Sequence, residues 1–302
     1  MNFFRFRVMT FRLISLVRRF YENQSGAGTR IFLGRKTRPL ESADLSDLRQ
    51  VSCTHQSVDV LVSLYNFRSF TRVLASSINQ NSCTRTRFVF ILADNDSKGL
   101  RSLTNLLDSK VQIRTLVCNE RIGIYEAWNR AIRMGLRERV RFFSNLNADD
   151  LRRPGAICFQ ATNMEKGNWD VSYSDSIVTN RLESDWSLWQ PTDRVSQVGG
   201  FSISDLLFHS RNKPHCAPMW AANIHGDVGL FSEDLFSSGD AEFWLRSLSL
   251  GKNFLYLPVP LVAYFRNPTG ISTGLRSRGF SEWNQTLLRF TQSPSKSGRD
   301  HV

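Results

Sequence analysis

The five cysteines of this 302-residue chain, Cys53, Cys83, Cys118, Cys158 and Cys216, include no pair at C-x-x-C spacing. An odd number without close pairs fits neither a zinc module nor a disulfide framework. It predicts that most of the cysteines act as small apolar core residues, in a reducing, cytoplasmic compartment. Long apolar runs are missing too: none approaches the roughly 20 residues a membrane-spanning helix requires, and no small-residue cleavage site follows an apolar stretch near the start. No G-x-G-x-x-G, Walker A or G-x-S-x-G run occurs, which argues against a dinucleotide-binding fold, a P-loop enzyme and a Ser-His-Asp hydrolase of the elbow type. Acidic residues are outnumbered, 27 against 39 Lys and Arg, but the imbalance is local. Residues 1–38 carry nine Arg or Lys against Glu22 alone, eight of the twelve net positive charges. Basicity confined to one arm is not the pattern of a nucleic-acid-binding domain, and no nucleic-acid partner is expected. No internal repeat is visible.

What is present suffices for one large α/β domain or two small ones with a real core, since 41% of the chain is hydrophobic. Residues 1–50 read as a basic arm and linker, 51–275 as the main domain and 276–302 as a C-terminal helix with a Ser-, Lys- and Gly-rich tail. Between Met1 and Tyr21 the arm interleaves Phe3, Phe4, Phe6, Phe11 and Phe20 with arginines. That mixture suits a helix lying on an anionic membrane surface, which would place the protein peripherally at the inner face of the membrane, and it equally suits a disordered or partner-binding arm.

Within the domain, apolar β-branched runs alternate with helical patterns. Strands are expected at Val58–Leu64, Arg87–Leu92, Val111–Val117 and Val140–Phe143, with helices at about 69–78, 100–107 and 124–134. This alternation predicts a doubly wound, mainly parallel sheet with helices on both faces, its polar loops converging at the strands' carboxyl ends. The second half is less regular: a strand at Asp170–Ser174, a helix around 205–210, another from 238 or 239 to 250, a strand at Asn253–Pro258 and a last helix at 281–291.

Four loops carry candidate chemistry. Leu64 is followed by Tyr65 and Asn66; the second strand ends in Asp94-Asn95-Asp96-Ser97; Gly123-Ile-Tyr-Glu-Ala-Trp-Asn129 opens a helix; and the fourth strand ends in Asn147-Ala-Asp-Asp150. Taken alone, Asp94 is a good Asx turn and Asp149-Asp150 a good turn or helix cap. Further on stand Pro218-Met-Trp220, His225, Gly229-Leu-Phe231 and Gly239-Asp-Ala-Glu-Phe-Trp-Leu-Arg246. His215 and His225, ten apart with no carboxylates at fixed spacing, make a poor metal site and are read as pocket-lining.

In order and wording these motifs resemble the inverting family 2 glycosyltransferases of the GT-A fold, from about Val58 to Ser272, and most closely a bacterial polysaccharide-type subgroup. The resemblance implies transfer of a sugar from a nucleotide diphosphate sugar donor to a sugar or lipid-linked glycan acceptor, in cell-surface polysaccharide or glycoconjugate synthesis. It implies that Tyr65, Asn66, Asp94, Gly123, Asn129 and Asn147 bind the nucleotide sugar, with Asp94 on the base. It makes Asp149 the ligand for a divalent cation, Mn²⁺ or Mg²⁺. Asp240 inherits the role of general base, and at a helix start its basicity is expected to be lowered. Asp150, Trp220, His215, His225, Glu242 and Arg246 fall on the acceptor side or in the pocket, with a structural role equally open for Glu242 and Arg246. One departure stands out: where the family has the first Asp of D-x-D, this chain has Asn147. That substitution keeps a non-catalytic nucleotide-sugar-binding relative in play. A nucleotidyltransferase fits less well, because Leu64 to Arg68 holds no glycine for a phosphate loop.

Overall fold

The computed structural model describes residues 38–39, 48, 53–94, 96–189, 193–209, 212–268, 270 and 279–292. The aromatic basic arm, apart from its last residue, and the C-terminal tail lie outside the described residues, as does the end of the family resemblance at Ser272. Among the described residues ten strands form one mixed, mostly parallel sheet: β1 (Arg38–Pro39), β2 (Val58–Leu64), β3 (Thr86–Leu92), β4 (Gln112–Val117), β5 (Phe142–Asn145), β6 (Leu151–Arg152), β7 (Val171–Thr179), β8 (Val195–Ser196), β9 (Met219–Ala221) and β10 (Phe254–Phe265). The main order is β1-β10-β7-β9-β5-β2-β3-β4, with β6 paired to β10 and β8 to β7. The helices are α1 (Thr71–Asn81), α2 (Ser97–Thr104), α3 (Ile124–Arg137), α4 (Ala156–Gly167), α5 (Ile203–His209), α6 (Ile224–Val228), α7 (Gly239–Ser249) and α8 (Gly279–Gln292).

Strands β2 and β3 show why the sheet is covered on both sides. Val58, Val60, Val62 and Leu64, with Phe88, Phe90 and Leu92, face one apolar core shared with Leu74 of α1, Leu103 of α2 and Ile157 of α4. Leu61, Val89 and Ile91 face the other, shared with α3, α5, α7 and α8. Near-continuous β-branched and aromatic runs are what a parallel strand buried on both faces requires. The exception, Asp59 in β2, is buried against its register partner Arg87 on β3 in a two-pronged ion pair.

Strand β10 runs seven residues past the expected end at Pro258. Its register against β7 shifts between Leu257 and Pro260 and again before Val262. Proline has no N–H to donate, so Pro258 and Pro260 are accommodated at a bulge and the strand continues. The extension matters for the site: its distal residues Val262 and Ala263 pair with β6, directly after the Asn147–Asp150 loop. Helix α8 belongs to the same body, with Trp283 and Leu287 buried in the core that holds Tyr125 and Trp244.

Candidate functional site

The loops that follow β2 and β3 meet as expected. Asn66, in the left-handed region at φ 48°, follows β2 and turns its backbone N–H to Asp94 Oδ2 at 3.0 Å. Asparagine tolerates that backbone better than most side chains. Asp94 Oδ1 accepts from the Asp96 N–H at 3.3 Å. Asp96 itself is occupied structurally: it caps α2 through Gly99 N–H and pairs with Arg68, whose guanidinium holds the Asp96 carboxyl down to about 2. Asn66, Arg68, Asp94, Asp96, Ser97 and Lys98 line a cavity of ≈ 650 Å³, within the range of nucleotide-sized ligand sites. Tyr65 is exposed beside it, its ring under the Arg121 guanidinium at 4.6 Å.

Beyond β5, the Asn147–Asp150 loop is built around a buried carboxyl. Asp150 Oδ1 accepts from the Phe265 N–H at the end of β10, at 3.0 Å, and its Oδ2 from the Asn147 amide at 2.8 Å. Burial, then the neighbouring Asp149 charge, pushes the Asp150 carboxyl up. Asp150 is therefore a fixed post inside the corner, and the expectation that it lines the acceptor side is corrected. Asp149 stays partly exposed, one oxygen receiving the Asn267 amide at 3.0 Å. Beneath the corner, fully buried Arg152 donates to Gln160, Ser144 and the Asn145 carbonyl, tying β5 to β6.

Asp240 lies in the first turn of α7. Its Oδ1 accepts from the Tyr125 hydroxyl at 3.2 Å and its Oδ2 from the Asn212 amide at 2.6 Å. The cap position belongs to Ser238. Burial raises the Asp240 carboxyl from its ordinary value, against the lowering effects of the Ala241 N–H, Asn212 and Tyr125. The expectation of lowered basicity is thus reversed, because desolvation of the charged form outweighs the helix-end donors. Asn212 begins a short segment whose Cys216 thiol lies 4.0 Å from Asp150 Oδ2. One loop, 212–216, therefore links the candidate base to the candidate metal corner. Tyr125, Asn212 and Asn267 were not singled out by sequence reasoning. Tyr125 had a signal, since it lies inside the Gly123–Asn129 motif; the two asparagines had none.

Several expected site residues are placed elsewhere. Asn129 is fully buried, its amide donating to the Phe231 carbonyl and Glu233 and accepting from the Phe231 N–H, so it braces α3 against the 231–233 loop and does not face a ligand. Trp220 has no exposed surface, and its indole N–H donates to His225 Nε2 at 2.9 Å. The His225 Nδ1–H is spent on the Gly229 carbonyl at 2.8 Å. Both are core residues, because an aromatic nest of Phe143, Phe231 and Phe243 surrounds them. Glu242 and Arg246 pair with each other while Arg246 also holds the carbonyls of Val228 and Leu230, contacts that brace α7 against the segment after α6. His215 packs edge-on against Tyr264 at 5.2 Å, and burial lowers its basicity. Gly123 has an ordinary extended backbone and nothing within 4 Å of where a Cβ would stand, leaving open space at the start of α3.

No protein-family model matches the chain, and no curated protein matches it significantly. Solved structures do match. TarS residues 1–349 from S. aureus in complex with UDP-GlcNAc aligns at a TM-score of 0.58 and 14% identity, over 78% of this chain and 65% of that one; its complex with UDP gives 0.55 at the same identity and coverage. The mannosyltransferase PcManGT from Pyrobaculum calidifontis, in complex with GDP-Man and Mn²⁺, aligns at 0.52 and 12% identity, over 85% of this chain and 70% of that one. The match thus spans just under two thirds of the TarS 1–349 chain and 39% of a longer TarS structure. At these identities the likeness is one of architecture, and the fold of this chain is a glycosyltransferase fold.

Proposed function

We propose that the chain is a metal-dependent, inverting glycosyltransferase of the family 2 kind, moving a sugar from a nucleotide diphosphate sugar to an acceptor hydroxyl. The observation that carries this reading is Asp240: a carboxyl raised by burial, held by two side chains, and joined by one loop to the Asp149 corner. A base of that kind removes the acceptor proton better than a surface carboxylate. The acceptor oxygen attacks the anomeric carbon from the face opposite the diphosphate; the bond to the diphosphate breaks through an oxocarbenium-like state, and Asp240 keeps the proton. Asp94 and Asn66 hold the nucleotide in the cavity they line. That similar folds hold UDP, UDP-GlcNAc and GDP-Man supports a nucleotide-sugar donor.

The residues of the corner fit a hard divalent cation, Mn²⁺ or Mg²⁺: the accessible carboxylate of Asp149 and the amide oxygen of Asn147, whose amide N–H is turned to Asp150. One carboxylate with a neutral oxygen donor is a common protein contribution when substrate phosphates complete the shell. Bound there, the cation would offset charge on the departing diphosphate.

The test is a nucleotide-sugar panel screened for transfer and donor hydrolysis with Mn²⁺ or Mg²⁺, followed by Asp240→Asn. Turnover is expected to fall by about 10²-fold or more with donor affinity kept; near-normal turnover rejects the base. Asn147 favours a second reading, a non-catalytic nucleotide-sugar binder, which any donor-dependent nucleotide release eliminates. Among the described residues no helix is long and apolar enough to cross a membrane. Peripheral attachment through residues 1–38, with a lipid-linked acceptor, is proposed from the sequence alone. Liposome pelleting with and without those residues decides it, and equal pelleting ends the idea.

A further inference from the structure

At the other end of the sheet, Cys53, His55, Cys83 and Cys158 come together, their ligand atoms all within 4.8 Å of one another. Cys53 and His55 precede β2 and Cys83 precedes β3, so the cluster stands at the amino ends of the strands whose carboxyl ends carry Asn66 and Asp94, roughly 20 Å away along a strand of this length. The cluster goes against the expectation that no zinc module is present and that most of the cysteines are merely small core residues, since three of the five belong to it. We propose that these four side chains form a structural zinc site.

Three observations carry it. The donor set, three sulfurs and one imidazole, is that of closed structural zinc sites, and its softness disfavours the hard cations suited to Asp149. The imidazole is set in the right tautomer: Nδ1–H donates to the Gln56 carbonyl at 2.7 Å, which leaves the Nε2 lone pair facing Cys158 Sγ at 3.3 Å and Cys83 Sγ at 3.6 Å. A backbone carbonyl on the far nitrogen is the usual way a ligating histidine is oriented. Those distances bracket the roughly 3.5 Å edge between sulfur and nitrogen in a zinc tetrahedron with bonds of about 2.3 and 2.0 Å. Finally, Cys83 Sγ accepts the Arg85 N–H at 3.4 Å and lies 3.2 Å from the Thr86 hydroxyl, polar company that suits a metal-bound thiolate. Cys53 and Cys158 sulfurs, 2.6 Å apart, separate by about 1 Å around the ion. A disulfide between those two would leave the orientation of His55 and the position of Cys83 unexplained.

On binding, the three thiols release their protons to solvent, His55 contributes its lone pair, and nothing is oxidised or reduced. The site pins the segment before β2 to the entry of β3 and the first turn of α4. It bridges 28 positions of sequence from His55 to Cys83 and 75 from Cys83 to Cys158.

The full chain, purified reduced and without chelator, is expected to carry about one zinc by elemental mass spectrometry. Cys83→Ser and Cys158→Ser lose it, and Cys118→Ala, outside the cluster, keeps it. Chelation lowers the melting temperature and zinc restores it. Should the serine variants fail to fold, the wild type decides: the stripped, reduced chain titrated with Co²⁺ gives the visible d–d absorption of tetrahedral thiolate ligation, which zinc bleaches. Absence of both zinc and that spectrum overturns the proposal, as does a Cys53–Cys158 disulfide in chain alkylated at lysis. Because the readouts are metal content, spectrum and melting, they stand whether or not sugar transfer is found.

Discussion

Asn147 stands where an acidic side chain would face the buried Asp150 carboxyl. Its amide N–H donates to Asp150 Oδ2 at 2.8 Å, and Asp150 is buried with its second oxygen on the Phe265 N–H. Replacing the amide by a carboxyl group removes a donor and sets a second acid against one already desolvated and pushed up to about 8. Asn147→Asp is therefore expected to destabilise the apo chain by about 1–3 kcal/mol, read by denaturant unfolding, and added Mn²⁺ or Mg²⁺ should recover part of the loss. Wild-type stability without metal would show that Asp150 needs no donor there. The sequence marked Asn147 as a departure; the reason was invisible in it, because Phe265 lies over a hundred positions away.

The elements themselves were largely readable. Expected and observed bounds of β2, β3, β4, α3 and α7 agree within a few residues, since each carries a clear period or a clear stop. Helix α4 was not seen because Ile157, Phe159, Ala161 and Met164, among others, bury it on several sides and blur any single apolar stripe. Strands of two or three residues such as β6 and β9 have no period to read, and they are what sets the Asn147–Asp150 loop. The four zinc-site ligands were equally hidden: their spacing follows strand entries and a helix start, not a short knuckle. The dependence of α7 on α8 is likewise tertiary. Glu282 of α8 accepts the N–H groups of Phe236, Ser237 and Ser238 and the Ser238 hydroxyl, capping the start of the helix that carries Asp240. Glu282→Ala leaves these donors unmet at a helix N-terminus, a loss of about 1–2 kcal/mol. Turnover should fall with donor affinity unchanged, and Glu282→Gln should rescue part of it. A variant with wild-type turnover would show that α7 holds Asp240 without α8.

For the whole molecule, the informative group is His225, which sits among Phe143, Trp220, Phe231 and Phe243 in the core on one face of the sheet. It must be neutral there, because Nε2 accepts from Trp220 while Nδ1–H donates to Gly229. A proton on Nε2 would face the indole N–H, and burial holds the imidazole down to about 4. An unfolded histidine titrates near 6.5, so between about pH 6.5 and 4 the unfolded chain binds a proton that the folded chain refuses. The stability His225 contributes is complete above that window and is lost as pH falls through it, by about 3 kcal/mol in all. Burial pushes the carboxyls of Asp59, Asp150, Asp175 and Asp240 the other way, upward, so on acidification their protonation opposes the loss. The wild-type curve alone therefore mixes both signs, and the difference from His225→Gln isolates the histidine. That variant, which has no proton to gain, should start less stable at neutral pH and lose less between pH 6.5 and 4 than the wild type. Parallel stability curves for the two chains would mean that His225 is protonated in the folded state.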